Sequence, residues 1–185
     1  MSDHPNISQI RFIEHRELVR IELNNSGHEL LKTVSLSELA ASIRESLGDK
    51  LSPRYKIEFA APRGSPIDFI DGNEWPQLLS ILRTATRAEL NLWVQRDLVW
   101  FQGHFPKHPV LAGVVQTHWA CEIARYLFGF SANFKAIENL KFRRIIEPQT
   151  QLLLSLEYST EKQRLVFRYG SRDGDCSKGR VRFSQ

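Results

Sequence analysis

Residues 114–128 (VVQTHWACEIARYLF) place apolar side chains around nearly the whole circumference of a helix, with Val115, Trp119, Ile123, Tyr126 and Leu127 among them. A helix with one apolar stripe can lie on a surface, but one that is apolar all round must be buried. The means of burying it follow in the chain. Leu140/Phe142, Leu152/Leu154/Leu156/Tyr158, Leu165/Phe167/Tyr169 and Val181/Phe183 alternate with other residues at the period of a strand. Glu161-Lys162 and the segment RDGD (172–175) separate the last three runs as hairpin-type turns. The expectation is an α+β fold in which an antiparallel sheet wraps around one long central helix.

Upstream, Leu90, Leu92 and Val94 alternate as a strand, Arg96-Asp97 turns, and residues 98–101 read as extended again. The first half reads as a small α/β unit. Residues 17–23 (ELVRIEL) alternate as a half-buried strand, and NNSG (24–27) supplies turn chemistry. Ser35 or Ser37 can cap a helix, and Glu38 completes a capping box with Ser35. Leu36, Leu39, Ala40, Ile43 and Leu47 follow at helical spacing, with Gly48 at the stop. Tyr55, Ile57 and Phe59 form a second strand, APRGSP (61–66) a loop, and residues 75–82 a short apolar helix. Polar residues 83–89 then suggest a boundary, giving a small α/β domain at 1–89 and the sheet-and-helix domain at 90–185.

Composition narrows the class. The chain is 42% hydrophobic and 25% charged, as globular proteins are, so disordered and fibrous classes are excluded. No apolar run approaches the ~18 residues that span a bilayer, and the start lacks a basic and then apolar leader, so no membrane partner is expected. Two cysteines are too few for a disulfide framework and suit a reducing cytoplasm. The net charge of +4 is unevenly placed: residues 1–90 carry −2 and residues 91–185 carry +6. A solvated face, an acidic protein partner and a nucleic acid all accommodate that bias.

The chemistry concentrates in WFQGHFPKHPVLAGVVQTHWACE (100–122). A loop bracketed by prolines holds His104, Gly113 opens the buried helix, and His118 lies on the helix's second turn. A helix start offers unpaired N–H groups and positive potential, which polarise a carbonyl oxygen aimed at it. Only glycine lets a ligand approach that backbone closely. A nearby histidine, titrating near neutrality, can remove a proton alpha to the polarised carbonyl.

The pattern G-H-F-P-x-x-P-V-x-x-G-V-V resembles the hotdog-fold 3-hydroxyacyl-ACP dehydratases of the FabA/FabZ type, most closely the ApeI-like dehydratases of aryl polyene biosynthesis. NLKFRRIIEP (139–148) and DGDCSKGRVRF (173–183) are similar to that family's later strands. The resemblance spans about residues 90–185 and implies a hotdog fold, no cofactor, a dimer and an acidic acyl carrier protein rather than a nucleic acid as partner. It makes His104 the catalytic histidine and Gly113 the residue whose N–H polarises the thioester. Val110 is the residue whose carbonyl orients the histidine, and Phe105, Val110 and Val114 fall at substrate-binding positions. The family's catalytic Glu or Asp, contributed by the dimer partner, stands fourteen residues after the histidine, and here that residue is His118. Ala112 replaces the family's proline before the helix glycine.

Two adjacent imidazoles divide into one neutral and one protonated group, a usable base and acid near neutral pH. Glu122, four residues after His118 on the same helix face, is a candidate to orient it. A satisfied polar residue is the plain alternative for His118, and a structural role for Glu122. Cys121 reads as a small core residue, and His4, His15 and His28 join no constellation. No clustered thiolates or carboxylates suggest a metal site. Lys141, Arg143 and Arg144 are candidates for carrier-protein docking. Residues 10–82 resemble the C-terminal subdomain of acyl-adenylating ligases in element order and in Pro53-Arg54, but lack that subdomain's Gly-Lys. Dehydration is thus the leading expectation, with thioester hydrolysis or a non-catalytic carrier-binding subunit as alternatives.

Overall fold

The computed structural model describes residues 4–14, 17–60, 72–103 and 108–184. The chain opens with β1 (Ile7–Ile13) antiparallel to β2 (Leu18–Leu23), and β2 runs parallel to β3 (Lys56–Ala60). A parallel pair needs a crossover, supplied here by α1 (Asn25–Leu30) and α2 (Leu36–Leu47). The NNSG segment is therefore the start of a helix and not a turn. Asn24 caps it, its side chain accepting the Gly27 N–H at 3.0 Å. Ser35 and Glu38 form the expected capping box, with Glu38 accepting the Ser35 N–H at 2.8 Å. Gly48 closes α2 at φ 48°, a conformation that side chains resist. Val19, Ile21, Leu39 and Ile43 are the fully buried centre of this unit.

The second half contains β4 (Gln77–Arg83), β5 (Arg87–Val94), α3 (Gly113–Phe128), β6 (Phe134–Phe142), β7 (Thr150–Ser159), β8 (Arg164–Ser171) and β9 (Gly174–Phe183). Six strands form one antiparallel sheet in the order β4-β5-β7-β8-β9-β6. It encloses α3, whose Trp119, Ala120, Ile123 and Ala124 have no exposed surface. This is the expected α+β hotdog arrangement. The hairpin of β8 and β9 turns at Arg172-Asp173, where Gly174 takes φ 115°.

Two further local expectations fail. Residues 75–82 form no helix, because β4 occupies residues 77–83. A short apolar run has the same composition in a strand buried on both faces as in a buried helix, and only the surroundings decide between them. Here Leu78 enters the core around α3 and Leu79 enters the core of the N-terminal unit. Residues 99–101 make a 3-10 turn in place of extended chain. The sheet therefore begins at Gln77, and the expected boundary between residues 89 and 90 falls inside β5. The 61–66 loop lies outside the described residues.

A buried polar cluster joins the two halves. Ser80 Oγ lies 2.9 Å from His28 Nδ1, and Asn91 Nδ2 donates to Ser80 Oγ at 3.0 Å and to the His28 carbonyl at 3.1 Å. A cleft of about 820 Å³ opens beside this joint, between the α1–α2 connection and strands β7 and β8, remote from Gly113.

Candidate active site

Gly113 is the first residue of α3, and Ala112 before it has no side chain that could cap the helix. The first N–H groups therefore keep their hydrogen-bonding capacity, with the positive end of the helix dipole behind them. The ring of Phe142 lies against Gly113, and a methyl group added there would overlap it. A side chain at this position would have to displace the half-exposed Phe142 ring.

Gln116, almost fully buried, secures this helix start. Its Nε2 donates to the Leu111 carbonyl at 2.9 Å, and its Oε1 accepts from Ser177 Oγ at 2.6 Å. Its carbonyl accepts the buried Tyr169 hydroxyl at 2.9 Å. The Leu111 N–H donates to Ile146 O at 2.8 Å. The chain entering α3 is thus tied to β8, β9 and the turn after β6. Sequence reasoning passed over Gln116, although a lone amide in an apolar helix is a signal that something buried must be hydrogen-bonded.

An apolar groove of about 450 Å³ runs from Gly113 along α3, with His118, Thr117, Leu140 and Phe142 in its lining. His118 is exposed in it, and Val114 beside Gly113 is 74% exposed. Val110 is half-buried. His104 and Phe105 lie outside the described residues. The structure thus brings Gly113, Val114 and His118 to one groove.

Glu122 also lines the groove, and its carboxylate is engaged by Arg125 Nη1 at 2.5 Å, which suits the structural one of its two readings. Arg125 donates as well to the Ala132 carbonyl at 3.1 Å and lies over the Phe183 ring. Cys121 is buried, and burial pushes its thiol up to about 11, so it is no thiolate nucleophile near neutral pH. The missed neighbour of His118 is Trp75, whose ring centroid stands 5.5 Å from the imidazole with the planes tilted by 33°. A helix expected at 75–82 had placed Trp75 in the first unit.

Lys141, Arg143 and Arg144 are all exposed. Lys141 pairs across the sheet with Lys178, which in turn faces Arg168, so three cations share one row. Asp175 pairs with Arg168 at the end of that row.

His28 does join a constellation, contrary to expectation. Its Nε2 is 4.0 Å from Glu89, and Glu29 is close enough to complete a metal-type trio. The Lys32 ammonium already bridges Glu29 and Glu89, filling the place that a cation would take.

Residues 80–180 match the family profile of the ApeI-like proteins, described as ApeI dehydratase. A 3-hydroxyacyl-[acyl-carrier-protein] dehydratase FabZ of Novosphingobium aromaticivorans is 35% identical over 119 residues, covering 60% of this chain and 72% of the relative. The FabZ of Geotalea uraniireducens is 34% identical over 67 residues, where the chain spans about half of the relative, 46%. Among solved structures, the dehydratase heterocomplex ApeI:P from Xenorhabdus doucetiae superposes with a TM-score of 0.57 at 32% identity, covering 60% of this chain and 98% of that one. The chain belongs to the ApeI-like dehydratase family.

Proposed function

We propose that the protein dehydrates 3-hydroxyacyl thioesters carried on an acyl carrier protein to trans-2-enoyl thioesters, in aryl polyene or a related fatty-acid-like biosynthesis. The observation that carries this reading is the uncapped start of α3 at Gly113, set in one apolar groove with His118. The match to ApeI dehydratase and to the FabZ relatives supports it. In this reading the Gly113 N–H holds the thioester oxygen and so acidifies the C2 proton. His104 takes that proton, the C2–H electron pair becomes the C2=C3 double bond, and the C3–O bond breaks. His118 gives its proton to the departing hydroxyl, which leaves as water. No cofactor or metal takes part in any of these steps.

The partners follow from surface chemistry. Val114, Phe134, Ile137 and Phe142 are 74, 51, 45 and 51% exposed along the groove and β6, an apolar face of the kind that marks an interaction site. A second hotdog subunit would cover it, either another copy of this chain or a different subunit, as in the X. doucetiae heterocomplex. In that dimer His118 of one subunit would meet the partner's His104. The row of Lys141, Lys178 and Arg168, with Arg143 and Arg144 beside it, suits an acidic carrier protein. No helix among the described residues is long and apolar enough to cross a membrane, and a cytoplasmic location is part of this proposal. The N-terminal unit lacks the Gly-Lys of the acyl-adenylating ligases it resembles, and we assign it a packing or docking role without adenylation.

Mass spectrometry of a 3-hydroxyacyl carrier protein incubated with the chain tests the reading. Loss of one water from the wild-type reaction, abolished in His104→Ala, is the expected result. Release of free acid would make it a thioesterase, and unchanged substrate would make it a binding subunit.

A further inference from the structure

By the family resemblance of the sequence, His118 stands in place of a carboxylic acid, and an imidazole changes what the site must control. A carboxyl presents two equivalent oxygens, so rotation about its axis costs it little. An imidazole has two unlike nitrogens in one plane, and a turn of the ring swaps or removes the atom that faces the substrate. Something must hold that plane. The carboxylate one turn along the helix is not available for this, since Glu122 is held by Arg125.

Trp75 is available. Its ring lies 5.5 Å from the imidazole at a 33° tilt, and it stacks on fully buried Trp119 at 6.5 Å and 29°. The backbone that carries it is anchored at several points. The Glu74 carbonyl accepts both the Trp119 Nε1–H at 3.0 Å and the Trp100 Nε1–H at 2.5 Å. The Asn73 carbonyl accepts the Val99 N–H at 2.9 Å. One short segment ahead of β4 is therefore fastened both to α3, which bears His118, and to the turn that precedes the His104 segment. A ring fixed in this way can fix a second ring packed on its face.

We propose that Trp75 is the positioning residue of His118: its indole face holds the imidazole in the plane from which it donates a proton to the leaving hydroxyl. This rests on the dehydratase reading, with His118 as the acid. The chain preceding the catalytic sheet thereby supplies a part of the site that an acidic residue at position 118 would not need.

The test is a double-mutant cycle on the full chain, with a second readout that needs no turnover. Trp75→Ala should lower kcat about 10- to 100-fold at unchanged KM, as a misplaced catalytic group does. Trp75→Phe, which keeps a ring face, should stay within a few-fold of wild type. In a His118→Ala background Trp75→Ala should cost nothing more, because the group it positions is gone. In NMR, the His118 ring protons, identified by their loss in His118→Ala, should lie upfield in the wild-type chain and in Trp75→Phe, and move downfield in Trp75→Ala. Losses that multiply in the double mutant, an effect confined to KM, or ring-proton shifts indifferent to residue 75 would each overturn the proposal. If the wild-type chain eliminates no water from its substrate, the dehydratase reading falls by itself, and the NMR shifts still decide whether Trp75 holds His118. Should Trp75→Ala fail to fold, Trp75→Leu, which keeps bulk but no aromatic face, takes its place in every arm.

Discussion

At position 113 the Phe142 ring occupies the space of a Cβ, and in the proposed reaction the backbone N–H there holds the thioester oxygen. Gly113→Ala is expected to fold with a displaced Phe142 and to lose about 100-fold or more in kcat, as removal of one oxyanion donor does. Circular dichroism beside the mass assay separates this from unfolding. His118→Ala should cost about 10²–10⁴-fold in kcat, the usual worth of a positioned acid, while His118→Glu supplies a carboxyl acid in its place and should recover much of it. Cys121 illustrates the reverse case, a residue beside the site with no part in the chemistry. Burial pushes its thiol up to about 11. Iodoacetamide at about pH 8 should therefore leave it unmodified in the folded protein and alkylate it in urea, as peptide mapping would show. At this scale the motif made Gly113 and His118 legible, because spacing alone puts both on the first turns of α3. Glu122 was open to two readings, orienting His118 or structural, and its ion pair with Arg125 three residues on supports the structural one.

Elements are held in register by a few buried polar groups as much as by apolar area. Gln116 links the loop before α3 to β8 and β9 through the Leu111 carbonyl, Ser177 and Tyr169. Gln116→Leu leaves the Leu111 carbonyl and the Ser177 hydroxyl buried without this partner. It should destabilise the chain by about 1–3 kcal/mol in urea unfolding. Loss of that brace should also loosen the backbone at Gly113, so kcat falls while the fold survives. α2 and α3 were read closely, since capping residues and periodicity are local signals. β4 was not, because Leu78, Leu79, Ile81 and Leu82 carry no period that separates a two-faced strand from a helix.

Across the whole molecule, the N-terminal unit and the catalytic sheet meet at the His28–Ser80–Asn91 cluster. Burial, with Lys32 acting in the same direction, holds the His28 imidazole below its ordinary 6.5, against the opposing pull of Glu29 and Glu89. The unfolded chain then takes up a proton at higher pH than the folded one. This contribution to stability is fully present above about pH 6.5 and is lost as pH falls through that value toward the folded one. Urea midpoints at about pH 7.5 and 5.5 should differ more in the wild-type chain than in His28→Gln. A residual slope from His4, which burial also lowers, is expected to remain in both.

By itself the sequence determined the hotdog half: a helix apolar on every face has to be wrapped, and four alternating runs after it are the wrapping. It also marked a candidate reactive segment, a glycine at a helix start with histidines at set spacings. Tertiary structure alone decided where the halves divide, because β4 belongs to two cores at once and its neighbours, not its composition, make it a strand. It alone placed Trp75 against His118 and joined His28 to Ser80 and Asn91. Such contacts join residues tens of positions apart, and no local period in a chain records which distant side chain will fill a given space.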